Sequence, residues 1–270
     1  MQSCLACKVV WLWAAGAAAG PEVGNTACRG CHADIYRKYS LTGMFRTSGR
    51  TGAGEFRESF EHANFTDPIL GAEYRVSMSP GGYRLEFRRR EAGVSGQRSL
   101  GWFIGSGRVG RSYLFSLDGF LFQAPVSYYA ERAKWDVSPG FQRSASINLT
   151  RAGETACLQC HASRLQPVTG TQNRYADPPF LDGGISCERC HGAGQEHMRH
   201  MTSGNIKGPS GIVNPAKLEP ARRDSVCAQC HLTVRRGSRE RGRNTVPTGP
   251  ERCSRNIRRS SPGRMRVRPG

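Results

Sequence analysis

The 270-residue sequence predicts an α+β fold of short helices and loops with an inserted region that is rich in β-hairpins. Four Cys-x-x-Cys-His pentapeptides are spread along the chain, and no long amphipathic segment appears between them. A middle region alternates apolar and charged residues with the period of two that a half-buried strand requires. Mean hydropathy is −0.53, with 33 Gly and 15 Pro, so we expect that something besides apolar packing organises the fold.

The chain divides by composition into five segments. Residues 1–20 resemble a leader, 24–64 hold the first Cys-x-x-Cys-His pentapeptide, 65–150 form the β-rich insert, 151–232 hold the other three pentapeptides, and 233–270 form a basic tail. The leader ends in Ala17-Ala18-Ala19, which is typical of a secretory cleavage site. Because Lys8 interrupts its apolar stretch, an incomplete export signal and a buried N-terminal helix both stay open. The export signal predicts a periplasmic or secreted protein that loses Cys4 and Cys7.

Two hairpins are predicted in the β-rich insert. Their strands are Glu73–Met78 with Tyr83–Arg89, and Tyr113–Leu117 with Phe120–Ala124. In the first hairpin Tyr83, Leu85 and Phe87 alternate with charged residues, as a strand with one buried face requires. In the second, Asp118-Gly119 tolerates the positive φ angles of a tight turn. Gly105-Ser106-Gly107 lacks the rest of a nucleotide-binding loop, so we interpret it as a turn between strands.

The cysteine-dense segment 151–232 is predicted to consist mainly of short helices and loops. Pro220 suits the first turn of a helix that carries Ala221–Cys230. Gln195–Met201 follows two glycines and is predicted as another short helix.

The four pentapeptides carry the chemistry. They are Cys28-Arg29-Gly30-Cys31-His32, Cys157-Leu158-Gln159-Cys160-His161, Cys187-Glu188-Arg189-Cys190-His191 and Cys227-Ala228-Gln229-Cys230-His231. This is the pattern of c-type haem attachment, in which two thiols form thioethers with one porphyrin and the adjacent imidazole binds its iron. We therefore predict that the short helices and loops are organised around four covalent haems. The proximal iron ligands are then His32, His161, His191 and His231.

Zinc is the main alternative, because paired Cys-x-x-Cys knuckles bind zinc and four pairs could form two four-cysteine sites. Zinc does not require a histidine directly after every second cysteine, however. Only 7 histidines occur in the chain, and four of them stand in that position. Thioredoxin-like or disulfide roles are disfavoured for the same reason.

The distal iron ligands are limited by the histidine count. His62, His197 and His200 are the three histidines outside the pentapeptides, so at least one of four haems must have an open site or another ligand. A distal methionine raises the reduction potential, and the candidates are Met44, Met78, Met198 and Met201. We predict that His197 is a distal ligand on its short helix. For His200, ligation competes with a surface or propionate-contacting role, and for His62 with a place in the apolar core.

The net charge of +18 is unevenly distributed. Residues 233–270 hold twelve Arg and two Glu, which is more than half of that net charge, and the haem propionates would offset much of the remainder. Specific nucleic-acid binding therefore finds little support. The tail has no Leu or aromatic residue and cannot form a core. An aberrant or truncated reading frame and a basic arm for an acidic partner or membrane surface both stay open.

Several segments resemble the tetrahaem cytochrome c-554 family. The resemblance is carried by Gly184–His197, by Asn214–Leu218 leading into Asp224–His231, and by Cys28–Tyr39 and Ile104–Tyr113. It covers residues 24–232 and is weakest in the β-rich insert. It implies closely stacked haem pairs, mostly bis-histidine irons and one iron that can be five-coordinate. It also supports His197 as a distal ligand, while Met44 after Gly43 departs from the family near the first haem.

The sequence thus predicts an extracytoplasmic electron carrier between a donor and an acceptor protein, with no catalytic residue assigned. One alternative is a haem enzyme that reduces a small nitrogen or sulfur oxyanion at an open iron. A minor alternative is a zinc-stabilised nucleic-acid binder.

Overall fold

The structure is a computed structural model that describes residues 21–53, 58–204, 208 and 210–231. Its elements confirm the α+β class. The predictions for the leader, for Cys4 and Cys7 within it, and for the basic tail lie outside the described residues.

Within the described residues, the helices are short. They are α1 Asn25–Cys31, α2 Ala33–Tyr39, α3 Thr155–Leu158, α4 Glu188–His191, α5 Gln195–Thr202 and α6 Pro220–His231, with 3₁₀ turns at Arg90–Ala92, Ala130–Arg132 and Pro215–Lys217. Helices α5 and α6 match the two predicted ones closely. None of the helices in the described part of the chain is long and apolar enough to cross a membrane.

The strands form three antiparallel sheets. They are β1 Ser48–Arg50, β2 Asn64–Thr66, β3 Glu73–Ser79, β4 Gly82–Arg89, β5 Val94–Leu100, β6 Trp102–Ile104, β7 Gly110–Leu117, β8 Phe120–Tyr129, β9 Lys134–Val137, β10 Ala162–Pro167 and β11 Tyr175–Gly183. One sheet has the order β2-β3-β4-β5, the second has the order β1-β6-β7-β8-β9, and β10 pairs with β11. Strand β1 comes from the segment that follows the first pentapeptide, so it joins that segment to the second sheet.

The hairpins predicted from alternation are present. Strands β3 and β4 pair from Glu73↔Arg88 to Ser79↔Gly82, with Pro80 and Gly81 in the turn. Strands β7 and β8 are joined by Asp118 and Gly119, whose φ angles are 51° and 81°. Gly105-Ser106-Gly107 lies in the loop between β6 and β7, as a turn should.

An apolar core fills the space between the four-stranded and five-stranded sheets. Tyr83 and Leu85 of β4 meet Tyr113 and Phe115 of β7 there, and Trp135 of β9 is 2% exposed. Each such side chain contributes about 1.5–3 kcal/mol on burial. Apolar packing therefore organises the β region, so the expectation from mean hydropathy applies to the helical segments, where α2 and α5 bury none of their residues.

The opposite face of the five-stranded sheet supports the second pentapeptide. Trp102, Leu114 and Leu121 of this face pack with Leu158 of α3 and Phe180 of β11. The prediction of mainly helices and loops for residues 151–232 is wrong over Ala162–Gly183, where β10 and β11 form. Prolines within these strands hid the strand pattern, because proline is tolerated only at sheet edges and irregularities.

Candidate haem centre

The four pentapeptides each lie at a helical turn. The first occupies the end of α1, the second runs through α3, the third begins at Cys187 before α4, and the fourth ends α6. One helical turn brings residues i and i+3 to the same face, which is how both thiols of a pentapeptide can reach one porphyrin. All eight of these cysteines are free thiols in this structure, and their sulfur atoms stand for the thioether sulfurs of a haem-loaded chain.

The first and third pentapeptides contact each other directly. The thiols of Cys28 and Cys187 are close enough to affect each other's pKa, and the backbone N–H of Cys187 donates to Oδ1 of buried Asn25 at 3.0 Å. Burial is the main cause that raises the pKa of both thiols, that of Cys187 to about 11. The attachment sites of the first and third haems would therefore be neighbours.

The second and fourth pentapeptides form another pair. The thiols of Cys160 and Cys230 lie close enough to interact, and this interaction raises the pKa of Cys160 and lowers that of Cys230. In addition, Cys190 of the third pentapeptide lies near Cys227 and Cys230. Burial is the main cause that raises the pKa of Cys190, and these two thiols raise it further.

The third pentapeptide is the one that contacts the segments of the other three. A guanidinium nitrogen of Arg189 donates to the carbonyl oxygen of Gln159 in the second pentapeptide at 3.2 Å. The side-chain amide of Gln229 in the fourth donates to the carbonyl oxygen of Arg189 at 3.0 Å. With the Asn25 contact, the third pentapeptide therefore touches all three others.

The zinc alternative gains no support from this geometry. Structural zinc needs four ligands around one ion. Within residues 21–53, 58–204 and 210–231, no three His, Cys, Asp or Glu side chains converge as a metal-binding group. The thiols meet instead in pairs drawn from different pentapeptides.

Three of the predicted iron ligands have one ring nitrogen held by the protein. Nδ1 of His191 lies 2.8 Å from the carbonyl oxygen of Val213, and Nδ1 of His197 lies 3.1 Å from that of Ser210. A carbonyl only accepts, so each Nδ1 donates a proton, and in the neutral ring Nε2 is then the nitrogen with the lone pair. Nδ1 of His161 lies 3.1 Å from the Thr47 hydroxyl. Metal-binding histidines are usually oriented in this way.

Burial also prepares His161 as a ligand. It lowers the pKa of the imidazole, so the neutral form dominates at neutral pH. Only the neutral ring offers a lone pair to a metal.

The rings of His32 and His197 are close neighbours. Their centroids are 6.3 Å apart and their planes differ by 17°. Two imidazoles that share one metal, each with a nitrogen about 2 Å from it, have centroids about 6 Å apart. The separation of the two rings therefore fits a single iron held between them.

The other candidate distal ligands of the irons lie at different places in the fold. His200 lies on α5 with His197, and its Nε2 is buried without a hydrogen-bond partner among the described residues. His62 is exposed in the turn before β2, at the edge of the four-stranded sheet. Met78 is 58% exposed on β3 of the same sheet. Met198 and Met201 lie on α5, and Met44 lies where its carbonyl accepts from the N–H of Ile185.

The haem-binding segments fit a large apolar group. Helices α2 and α5 bury none of their residues, and α1 buries only Asn25. Large apolar side chains are exposed along these segments: Ile35, Leu41, Met44, Met198 and Met201. Porphyrins attached to the pentapeptides would supply the core that these helices lack, so the residues present fit covalent haem.

Sequence reasoning missed the residues that join the pentapeptides. Four of them make contacts with distant segments of the chain: Asn25, Thr47, Arg189 and Gln229. A fifth, Glu188, binds two separate segments. The available signal was the polar side chains that stand between paired cysteines. One of them, Glu188, is only 5% exposed, and a carboxylate is seldom buried without partners.

Comparison with known proteins agrees with this chemistry. Residues 129–192 match the family described as cytochrome c554 and c-prime. The C-type polyheme cytochrome OmcC of Geobacter sulfurreducens is 33% identical over 84 residues, which are 30% of this chain and 10% of that protein. OmcB of the same species is 32% identical over 82 residues, 29% of this chain and 9% of that protein. The chain thus matches about a tenth of the length of these relatives.

A solved structure covers more of the chain at lower identity. The outer cell wall cytochrome OcwA superposes with a TM-score of 0.47 and 16% identity, over 78% of this chain and 37% of that one.

Proposed function

We propose that this chain is a multihaem c-type cytochrome that binds four covalent haems and carries electrons between two redox proteins outside the cytoplasm. The observation that carries this proposal is the mutual contact of the four pentapeptides. Haem supplies the one-electron chemistry, while the chain supplies spacing, axial ligands and the surrounding dielectric.

The contacts support a central position for the third haem site. Cys187 donates to Asn25 of the helix that holds the first pentapeptide, Arg189 donates to Gln159 of the second, and Gln229 of the fourth donates to Arg189. The third site would therefore join the first site to the second and the fourth. Each of these steps joins neighbouring pentapeptides, so an electron need not cross the β layers.

The histidine geometry supports an assignment of the first iron. We propose that His32 and His197 are its two axial ligands, because the separation of their rings fits one metal and a carbonyl orients His197. The buried, unpaired Nε2 makes His200 the next candidate for a distal ligand to a neighbouring iron. The exposed position of His62 favours it least.

The protein partners are proposed from charge. The described part carries exposed basic residues around the first pentapeptide, among them Arg29, Arg37 and Lys38. Acidic redox proteins suit such a surface, and the basic tail would add to the attraction. The leader-like residues 1–20 support a periplasmic or secreted location.

The test is expression with the c-type maturation machinery. Intact mass should exceed that of the processed apo chain by four haem masses, and a pyridine haemochrome spectrum should report c-type haem. Stepwise reduction should then bleach and restore the absorption reversibly. A chain that binds zinc or no cofactor contradicts the proposal.

Catalysis at an open iron is the second candidate function, favoured by the histidine count. Only three histidines stand outside the pentapeptides, so one iron lacks a histidine on its distal side. Cyanide or nitric oxide should bind that iron. Turnover of nitrite, hydroxylamine or sulfite with a strong reductant would establish an enzyme, whereas ligand binding without turnover leaves electron transfer as the function.

A further inference from the structure

The side chain of Glu188 is a buried carboxylate between the first and third haem sites. It lies inside the third pentapeptide, between Cys187 and Arg189, and is 5% exposed. Oε1 accepts from the backbone N–H groups of Val23 at 2.8 Å and Gly194 at 2.7 Å. Oε2 accepts from the N–H of Gly24 at 2.8 Å. Hydrogen bonds to a charged acceptor are stronger than those between neutral groups.

The three N–H groups belong to the starts of two helices. Gly24 is the N-cap of α1, which leads to His32, and Gly194 is the N-cap of α5, which carries His197. The one carboxylate therefore fixes the starts of both helices, which place the imidazole rings of His32 and His197 with centroids 6.3 Å apart.

The two glycines allow this close approach. A Cβ at position 194 would lie 3.0 Å from Cγ2 of Val23 and 3.2 Å from Oε1 of Glu188. Gly24 has a φ of 85°, a conformation that side-chain-bearing residues rarely adopt. The backbone N–H groups of both glycines can therefore approach the carboxylate closely enough to donate to it.

We propose that Glu188 is a positioning residue that holds His197 against the first iron, from within the attachment segment of the third haem. This proposal rests on the proposed function, since it needs the first haem to be present. Loss of the carboxylate leaves up to three buried N–H groups unsatisfied and frees the start of α5. His197 then leaves the iron more often, while Cys28, Cys31 and His32 still hold the haem.

The experiment compares haem-loaded wild-type protein with Glu188→Gln and Glu188→Ala. Glu196→Gln is the matched control, because it removes an exposed carboxylate from α5, the helix of His197, where Glu196 pairs with Arg199. His197→Ala identifies the spectrum of the first haem when its distal ligand is lost. The readouts are haem content by mass, electron paramagnetic resonance of the ferric protein, and the cyanide affinity of that haem.

We expect four haems in both Glu188 variants, with the first haem shifted toward the His197→Ala spectrum. An external ligand competes with His197, so its apparent affinity rises with the fraction of time that the histidine is detached. For Glu188→Ala we expect cyanide to bind the first haem at least about tenfold more tightly than in wild type. Glu188→Gln keeps one acceptor oxygen and should show a smaller change in the same direction, and Glu196→Gln should match wild type.

Three results overturn the inference. One is a wild-type spectrum and cyanide affinity in both loaded Glu188 variants. Another is the same change in Glu196→Gln. The third is loss of one attached haem from both Glu188 variants, which would assign the residue to attachment rather than to ligand positioning. Should Glu188→Ala give no protein, the isosteric Glu188→Gln decides. A wild-type protein without haem would instead refute the proposed function itself.

Discussion

The imidazole rings of His32 and His197 lie nearly parallel with centroids 6.3 Å apart, although 165 positions separate the two residues in the sequence. His32 is the C-cap of α1, and His197 lies in the first turn of α5. This pairing joins the first haem site to the segment that follows the third.

Replacement of His197 by Ala should convert one haem from low-spin to high-spin. The iron of the first site loses its sixth ligand, while both thioether links remain. Electron paramagnetic resonance of the oxidised protein measures the change, and haem content by mass should stay at the wild-type value. Arg199→Ala, an exposed change on the same helix, should leave the spectrum unaltered. An unchanged spectrum in His197→Ala would show that this histidine is not a ligand.

No more than three haems should have two histidine ligands within one chain, because seven histidines must serve four proximal and four distal positions. The oxidised wild-type monomer should therefore show a high-spin haem or one with methionine character. His62→Ala should leave the number of bis-histidine haems unchanged, given its exposed place beside the four-stranded sheet. Four bis-histidine haems in a monomer would contradict the count, whereas in a dimer a partner chain could donate a histidine.

Gly184→Ala should destabilise the protein by about 3 kcal/mol or more, because it combines a left-handed backbone with a steric clash. Gly184 has a φ of 74°, and a Cβ there would collide with the carbonyl of Phe45. Gly170→Ala is the control, since it has a φ of 80° but open space around it. Thermal unfolding followed by circular dichroism measures both. Equal losses would show that the backbone angle alone matters.

Glu58→Gln should destabilise the β layers by about 3–5 kcal/mol, because it leaves the guanidinium of Arg111 buried without its charge partner. The two side chains form an ion pair of 3.1 Å inside the apolar core, and Tyr113 also donates to the carboxylate. Denaturant unfolding followed by tryptophan fluorescence measures the loss. Glu86→Gln on the exposed face of β4 should have little effect. Haem absorption in the native state should be the same in both variants.

Deletion of residues 239–270 should leave haem loading and the visible spectrum unchanged, because the deleted part holds no histidine and no attachment pentapeptide. Mass and absorption measure this outcome. If the tail docks an acidic partner, electron transfer to that partner should slow with deletion and, in the full chain, with rising salt, since salt screens exposed charges. Loss of haem-loaded protein on deletion would show that the tail is structural.

The sequence by itself determined the features that depend on residues close together in the chain. The Cys-x-x-Cys-His spacing predicts attachment and the proximal histidine, because one helical turn brings both thiols to the same side. Alternation along β4 and the residues Asp118-Gly119 predicted two hairpins, which the structure contains, because strand exposure and turn angles are set locally. The number of histidines limits the distal ligands in every possible fold.

The tertiary structure decided which of these local units meet. The contacts of Cys28 with Cys187 and of Gly24 with Glu188 join residues more than 150 positions apart. The hairpin of β10 and β11 depends on the apolar face that Trp102 and Leu114 present to it. No spacing pattern encodes such contacts, because they arise only when separate segments bury their surfaces against one another. A side chain such as Glu188 gains its role only from the backbone groups that this packing brings to it.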